Sequence, residues 1–126
     1  MSSLQKIVIV DDSGPIKKLG DRMLTAAGYE VCVADNGFDG LTVIMEEKPD
    51  LVLMDVEMPE MDGLTATAIL KESEQCSKIP IVLLTSKDSP FDKARGEMVE
   101  AEGYLTKPFS KEGLIDAVKG YLESAS

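Results

Sequence analysis

The chain has 126 residues, 44% hydrophobic and 29% charged, a balance that suits one soluble globular domain with a buried core. Its net charge of −10 selects against nucleic acid and anionic membrane as partners. The absence of histidine excludes histidine-dependent catalytic triads and histidine-ligated metals. No charged leader precedes an apolar stretch and no apolar run approaches the roughly 18 residues of a membrane span, so a cytoplasmic protein is expected.

The first apolar run, Ile7, Val8, Ile9 and Val10, reads as a buried strand and ends in Asp11-Asp12. Ser13 then caps a helix that tolerates Pro15 in its first turn and repeats Ile16, Leu19, Met23 and Ala27 at helical spacing until Gly28 stops it. A second strand covers Glu30–Ala34. Asn36 caps a second helix that turns Phe38, Leu41, Ile44 and Met45 inward. Cys32, within that second strand, and Cys76 lack metal-ligand spacing and read as reduced, uninvolved thiols.

The run Leu51, Val52, Leu53 and Met54 makes a third strand that ends at Asp55. Asp62-Gly63 opens a third helix with Leu64, Ala68 and Ile69 inward. After a polar stretch at 73–78, Pro80 starts a fourth strand, where a missing N–H is tolerable; that strand runs from Ile81 to Thr85-Ser86. A fourth helix over 88–101 uses Phe91, Ala94 and Met98. The short run Gly103, Tyr104 and Leu105 leads through Thr106 into Lys107-Pro108, and a fifth helix after Ser110 buries Leu114, Val118, Tyr121 and Leu122.

Five strand–helix units with short connections predict an α/β fold: parallel strands, right-handed crossovers and helices on both faces of the sheet, as one domain over 1–126 with no output domain. Ligand sites in open parallel sheets lie at the carboxyl ends of the strands. If the runs are neighbours, Asp11, Asp12, Asp55, the Thr85-Ser86 hydroxyls and Lys107 converge on one pocket.

Each residue has a plain structural reading beside the chemical one. Asp11-Asp12 is either a solvated, helix-capping loop or a site for a hard cation such as magnesium, held by carboxylate and water oxygens. Asp55, fixed at the end of an apolar strand, can attack phosphorus and form an acyl phosphate if a cation screens the incoming anion. Phosphoryl transfer needs positioning and neutralisation of the equatorial oxygens, for which Thr85 offers a hydroxyl and Lys107 an ammonium.

Asp11-Asp12, Asp55 with Met58-Pro59 and Asp62-Gly63 behind it, Thr85-Ser86, and Lys107-Pro108-Phe109 resemble, in order and spacing, the motifs of the bacterial two-component response-regulator receiver domain. The resemblance covers essentially the whole chain. It implies a flavodoxin-like, doubly wound five-stranded parallel sheet of order 2-1-3-4-5 with five helices, and a regulatory phosphoacceptor rather than an enzyme. Asp55 is then the phosphoacceptor. Asp12, Asp55 and the backbone carbonyl of Glu57 are the implied Mg2+ ligands, with Asp11 acting partly through water. Thr85, Ser86 and Lys107 contact the phosphoryl group. Thr85 and Tyr104 form the switch, and the Lys107-Pro108 bond is typically cis.

The family also implies a histidine kinase or histidine phosphotransfer protein as donor. It implies a downstream protein target at the helix 4–strand 5–helix 5 face, and a monomer or weak phosphorylation-dependent dimer. Residues 86–96 and 104–109 are similar to the stand-alone receivers of type IV pilus, or twitching-motility, chemosensory systems, which points to chemotaxis or pilus control. Glu57 and Lys87, two residues beyond Asp55 and Thr85, carry opposite charges at positions expected to face each other, and they are read as a pair that tunes phosphoryl lifetime.

Two other classes compete. A Mg2+-dependent aspartyl-phosphate phosphatase needs Asp-x-Asp after its first strand, where this chain has Asp11-Asp12-Ser13. A nucleotide binder needs a phosphate-cradling first loop, which Asp11 and Asp12 would repel. A receiver that never turns over phosphate and serves as a docking module is the third alternative.

Overall fold

Apolar runs of four or five residues that end in a polar group each become one strand in the computed structural model. The structure describes residues 4–86 and 90–125, with 90–93 by their backbone alone. The order is β1 (Lys6–Val10), α1 (Gly14–Ala26), β2 (Glu30–Ala34), α2 (Gly37–Glu47), β3 (Leu51–Asp55), α3 (Gly63–Glu72), β4 (Ile81–Thr85), α4 (Pro90–Met98), β5 (Gly103–Thr106) and α5 (Lys111–Ala125). The strands form one parallel sheet of order β2-β1-β3-β4-β5, the expected doubly wound arrangement.

Because side chains alternate along a strand, each central strand feeds both layers of the core. Val8, Val10, Val52, Met54, Ile81 and Leu83 face one side, where Ile44 of α2 and Leu64, Ala66 and Leu70 of α3 cover them. Ile7, Ile9, Leu51, Leu53, Val82 and Leu84 face the other, beneath Leu24 of α1 and Leu114, Val118 and Leu122 of α5. Gly96 places α4 on the first face, since a Cβ there would meet Leu83 and Tyr104.

The helix starts follow the sequence closely. Ser13, Asn36 and Asp62 each cap a helix by accepting a backbone N–H three residues on. The inward faces differ from expectation. Leu19, Phe38, Met45, Ile69 and Met98 are exposed, as are Ala27 and Ala94, while Gly20, Leu24, Gly40, Ala66, Thr67 and Leu70 take the buried positions. Tyr121 packs only partly buried against the α1–α5 side of the core. α4 also ends at Met98 rather than 101, where Glu100 adopts a left-handed φ of 65° and turns the chain toward β5. Phe91 lies among the residues whose side chains are not described. Among the described residues no helix is long and apolar enough to cross a membrane.

Candidate phosphoacceptor site

Register brings the first two carboxylates together. Val10 pairs with Met54, so the next residue on each strand, Asp11 and Asp55, ends beside the other at the β1–β3 junction. There the sheet's winding changes direction, because β2 lies on one side of β1 and β3 on the other, and such a switch point opens a crevice. Asp11 is fully buried and Asp55 is 3% exposed. Asp12 is exposed, and one carboxylate oxygen from each of Asp11, Asp12 and Asp55 lies within 4.8 Å of the other two.

Lys107, at the turn between β5 and α5, answers the buried pair. Its ammonium donates to Asp55 Oδ1 at 3.0 Å and to Asp11 Oδ2 at 3.1 Å. The other oxygen of Asp11 accepts the N–H of Ser13 at 2.9 Å, which fixes the loop entering α1. The Lys107 N–H donates to the Thr85 carbonyl, and the Lys107-Pro108 peptide bond is cis, as the resemblance implies.

The floor under Asp55 is equally constrained. Gly63 donates its N–H to the Val56 carbonyl, and a Cβ on Gly63 would fall 2.0 Å from the Asp55 carbonyl oxygen. Only glycine lets the start of α3 approach this closely.

Three carboxylates against one ammonium leave the pocket short of positive charge. Burial pushes the Asp55 carboxyl up to about 7, opposed by its hydrogen bond to Lys107 and reinforced by the neighbouring charge of Asp11. Burial lowers the Lys107 ammonium, but its bonds to Asp55 and Asp11 outweigh that and hold it above the usual lysine value. The donor set is all oxygen and anionic, which fits a hard divalent cation such as Mg2+ and not a thiophilic metal.

The pocket over Asp55 is lined by Asp11, Asp12, Ser13, Val56, Glu57, Leu84, Ser86 and Lys107. Ser86 and Glu57 thus line the same pocket as Asp55. Thr85 is 2% exposed and lies beside the pocket, not in its wall. Strand alternation explains this: Asp55 shares a face with Leu53 and its register partner Leu84, whereas Thr85 shares the opposite face with Ile81 and Leu83. Tyr104, in register with Leu83, packs on that same face, half-buried, and its hydroxyl donates to Glu97 Oε1 at 3.3 Å. Thr85 and Tyr104 therefore share one side of the sheet and Asp55 sits on the other. Lys87 lies outside the described residues. Sequence reading gave no role to Arg95 and Glu97 on α4, whose spacing resembles an ordinary charged helix face; helix packing brings Arg95 to a cleft beside the pocket, shared with Asp12, Glu57 and Asp62, and Glu97 to Tyr104.

Residues 7–119 match the response regulator receiver domain. The chain belongs to the response-regulator receiver family. It is 39% identical over 119 residues to Protein PilG of Pseudomonas aeruginosa, covering 94% of this chain and 88% of that protein. It is 40% identical to Protein PilH of the same organism, over 94% of this chain and 98% of that one. Among solved structures, chemotaxis protein CheY4 of Vibrio cholerae superimposes with a TM-score of 0.90 at 34% identity, over 94% of this chain and 98% of that one. The resemblance read from these separated motifs is borne out, as is the flavodoxin-like strand order. These relatives favour the receiver over the phosphatase and the nucleotide binder.

Proposed function

We propose that this receiver accepts a phosphoryl group on Asp55 from a phosphohistidine of a partner kinase or phosphotransfer protein and passes the event to a downstream protein. The observation that carries the proposal is Asp55 itself: a nearly buried carboxylate at a strand end, held by Lys107 at 3.0 Å and flanked by two further carboxylates.

Asp12, Asp55 and the Glu57 backbone carbonyl would hold Mg2+, with Asp11 reaching it through water. When bound, the cation supplies divalent charge that offsets the repulsion between the carboxylates and the incoming phosphoryl oxygens. Asp55 provides the attacking oxygen on rigid backbone. Lys107 exchanges part of its bond to Asp55 for a phosphoryl oxygen, and Ser86 lines the wall that such an oxygen would face. Thr85 moves toward the phosphoryl group, and Tyr104 fills the space it leaves. The position of both on one face of the sheet supports that coupling. The α4–β5–α5 surface then presents the change to the target.

The protein is a regulatory phosphoacceptor with only self-catalysed phosphorylation and dephosphorylation, cytoplasmic, and a monomer or weak phosphorylation-dependent dimer. Its likeness to PilG, PilH and CheY4 supports a place in pilus or chemotaxis control. Glu57 and Lys87 together slow hydrolysis, and a Lys87→Ala variant with an unchanged acyl-phosphate lifetime would remove that part.

Incubation with a small phosphodonor and Mg2+ tests the whole reading. A base-labile modification should appear at Asp55 in the wild type and vanish in Asp55→Asn. Label that persists in Asp55→Asn, or sustained substrate turnover, would replace it with another mechanism.

A further inference from the structure

Three of the seven large apolar side chains exposed among the described residues share one face of the molecule. Phe38 (53% exposed) and Met45 (40%) lie on α2, and Ile69 (38%) lies on α3. Both helices join parallel strands on the side of the core that holds Ile44 and Leu70, so they run side by side. Phe38 and Met45 are two turns apart, in one line about 10 Å long, with half-buried Leu41 between them. The Thr42 hydroxyl, on the same line, donates back to the Phe38 carbonyl at 3.3 Å within its own helix. Ile69 borders α2. Lys71 reaches the opposite way, to the Ile79 carbonyl and Glu102 on the β4–β5 side, and two residues are about 200° apart around a helix.

The rim of this face is acidic. Asp39 and Glu46 are exposed directly after Phe38 and Met45, and Glu72 is exposed one turn beyond Ile69. Against these three carboxylates stands Lys48 at the end of α2, since Lys71 is turned to Glu102. Glu46 and Glu72 form no ion pair among the described residues. Single exposed apolar residues are ordinary on a protein surface, but a line of them with a neighbour on the next helix and a charged rim marks a contact site. We propose that the α2–α3 face binds a basic amphipathic helix of a partner protein, separately from the α4–β5–α5 surface. Such a helix offers apolar side chains at i, i+3 and i+7, the same spacing as Phe38, Leu41 and Met45, and its flanking lysines or arginines meet Asp39, Glu46 and Glu72. A second copy of this chain, with its net charge of −10, would set the acidic rim against itself. The inference does not depend on Asp55 being the phosphoacceptor.

The probe is a fluorescent helix-forming peptide of about 15 residues, with leucines at that spacing and lysines on its other face, followed by anisotropy at physiological ionic strength. Amide NMR shifts of the full chain place the contact. Two control peptides carry the same leucines in scrambled order, or glutamate in place of every lysine. Wild type should bind the basic amphipathic peptide about tenfold or more tighter than either control, with shifts centred on α2 and α3. Met45→Ser and Ile69→Ser should each weaken binding about five- to tenfold, and Glu46→Lys combined with Glu72→Lys about tenfold. Leu19→Ser, which removes an exposed leucine from α1, should leave it unchanged. Glu46→Gln and Glu72→Gln, at exposed positions, keep the measurement available if an apolar variant does not fold. Equal affinity for a control peptide, shifts centred on another face, or wild-type affinity in the α2 and α3 variants overturns the inference. Self-association in sedimentation that Met45→Ser abolishes also overturns it, by assigning the face to a second copy.

Discussion

Asp55 is held in a position that opposes its own charge. Burial raises its carboxyl from an ordinary 3.8 to about 7, despite the Lys107 hydrogen bond, because Asp11 adds a second buried negative charge next to it. A carboxyl that holds its proton more tightly in the folded than in the unfolded chain stabilises the fold below its unfolded value, and that contribution is lost as pH rises through about 7. Lys107, raised above the lysine range, titrates outside this window. Divalent-free protein should therefore lose about 2–3 kcal/mol of stability between pH 5 and pH 8.5, by urea denaturation at each pH. Asp55→Asn should flatten most of that slope; a variant as steep as wild type would place the titrating group elsewhere. At this scale the sequence was informative where a polar residue ended an apolar run. Asp11, Asp55 and Lys107 all stood out that way. Arg95 did not, because a charged residue on an amphipathic helix looks solvated until α4 is placed against the cleft.

Among the elements, strands were far more legible than helix faces, and the cause is how the helices dock. α1 and α2 approach the sheet through glycine: a Cβ on Gly20 would lie 2.8 Å from Ile9, and one on Gly40 would lie 2.8 Å from Val10. The line of closest contact thus carries no hydropathy signal, while larger apolar residues such as Leu19 and Phe38 flank it and stay exposed. The amino-terminal edge of the sheet is secured differently. Lys71 of α3 has a side chain only 6% exposed and donates to the Ile79 carbonyl at 3.2 Å and to the Glu102 carboxylate at 2.7 Å. Glu102 in turn accepts the Ile81 N–H at 2.7 Å. One ammonium thus ties α3 to the starts of β4 and β5. Lys71→Ala leaves the Ile79 carbonyl without that donor and the Glu102 carboxylate with the Ile81 N–H but no ammonium, and should destabilise by about 1–3 kcal/mol in urea unfolding. The site lies at the opposite ends of the strands, so the phosphorylation rate of the folded variant should match wild type. A loss of rate greater than the loss of folded fraction would show that the two ends of the sheet are coupled.

The whole molecule carries a net charge of −10, and repulsion among surface carboxylates is expected to weaken the compact state at low ionic strength. Added sodium chloride should relieve this smoothly by screening, without saturating at any site. Mg2+ acts by a second route if it binds the folded chain at Asp11, Asp12 and Asp55. Binding to the folded state alone adds RT ln(1 + [Mg2+]/Kd), a contribution that curves over as the site fills. The two effects separate in a thermal denaturation series in which MgCl2 replaces NaCl at fixed ionic strength. Wild type should gain about 1–3 kcal/mol, several degrees in Tm, with clear curvature. Asp12→Ala is the informative variant, because Asp12 is exposed and its carboxylate reaches the cluster without being buried in the core, so its loss removes a cation ligand more than a packing contact. It should lose at least half of the Mg2+-specific gain while keeping the NaCl response. An equal gain in Asp12→Ala, or a wild-type gain that follows ionic strength alone, would mean that the three carboxylates do not act as a cation site.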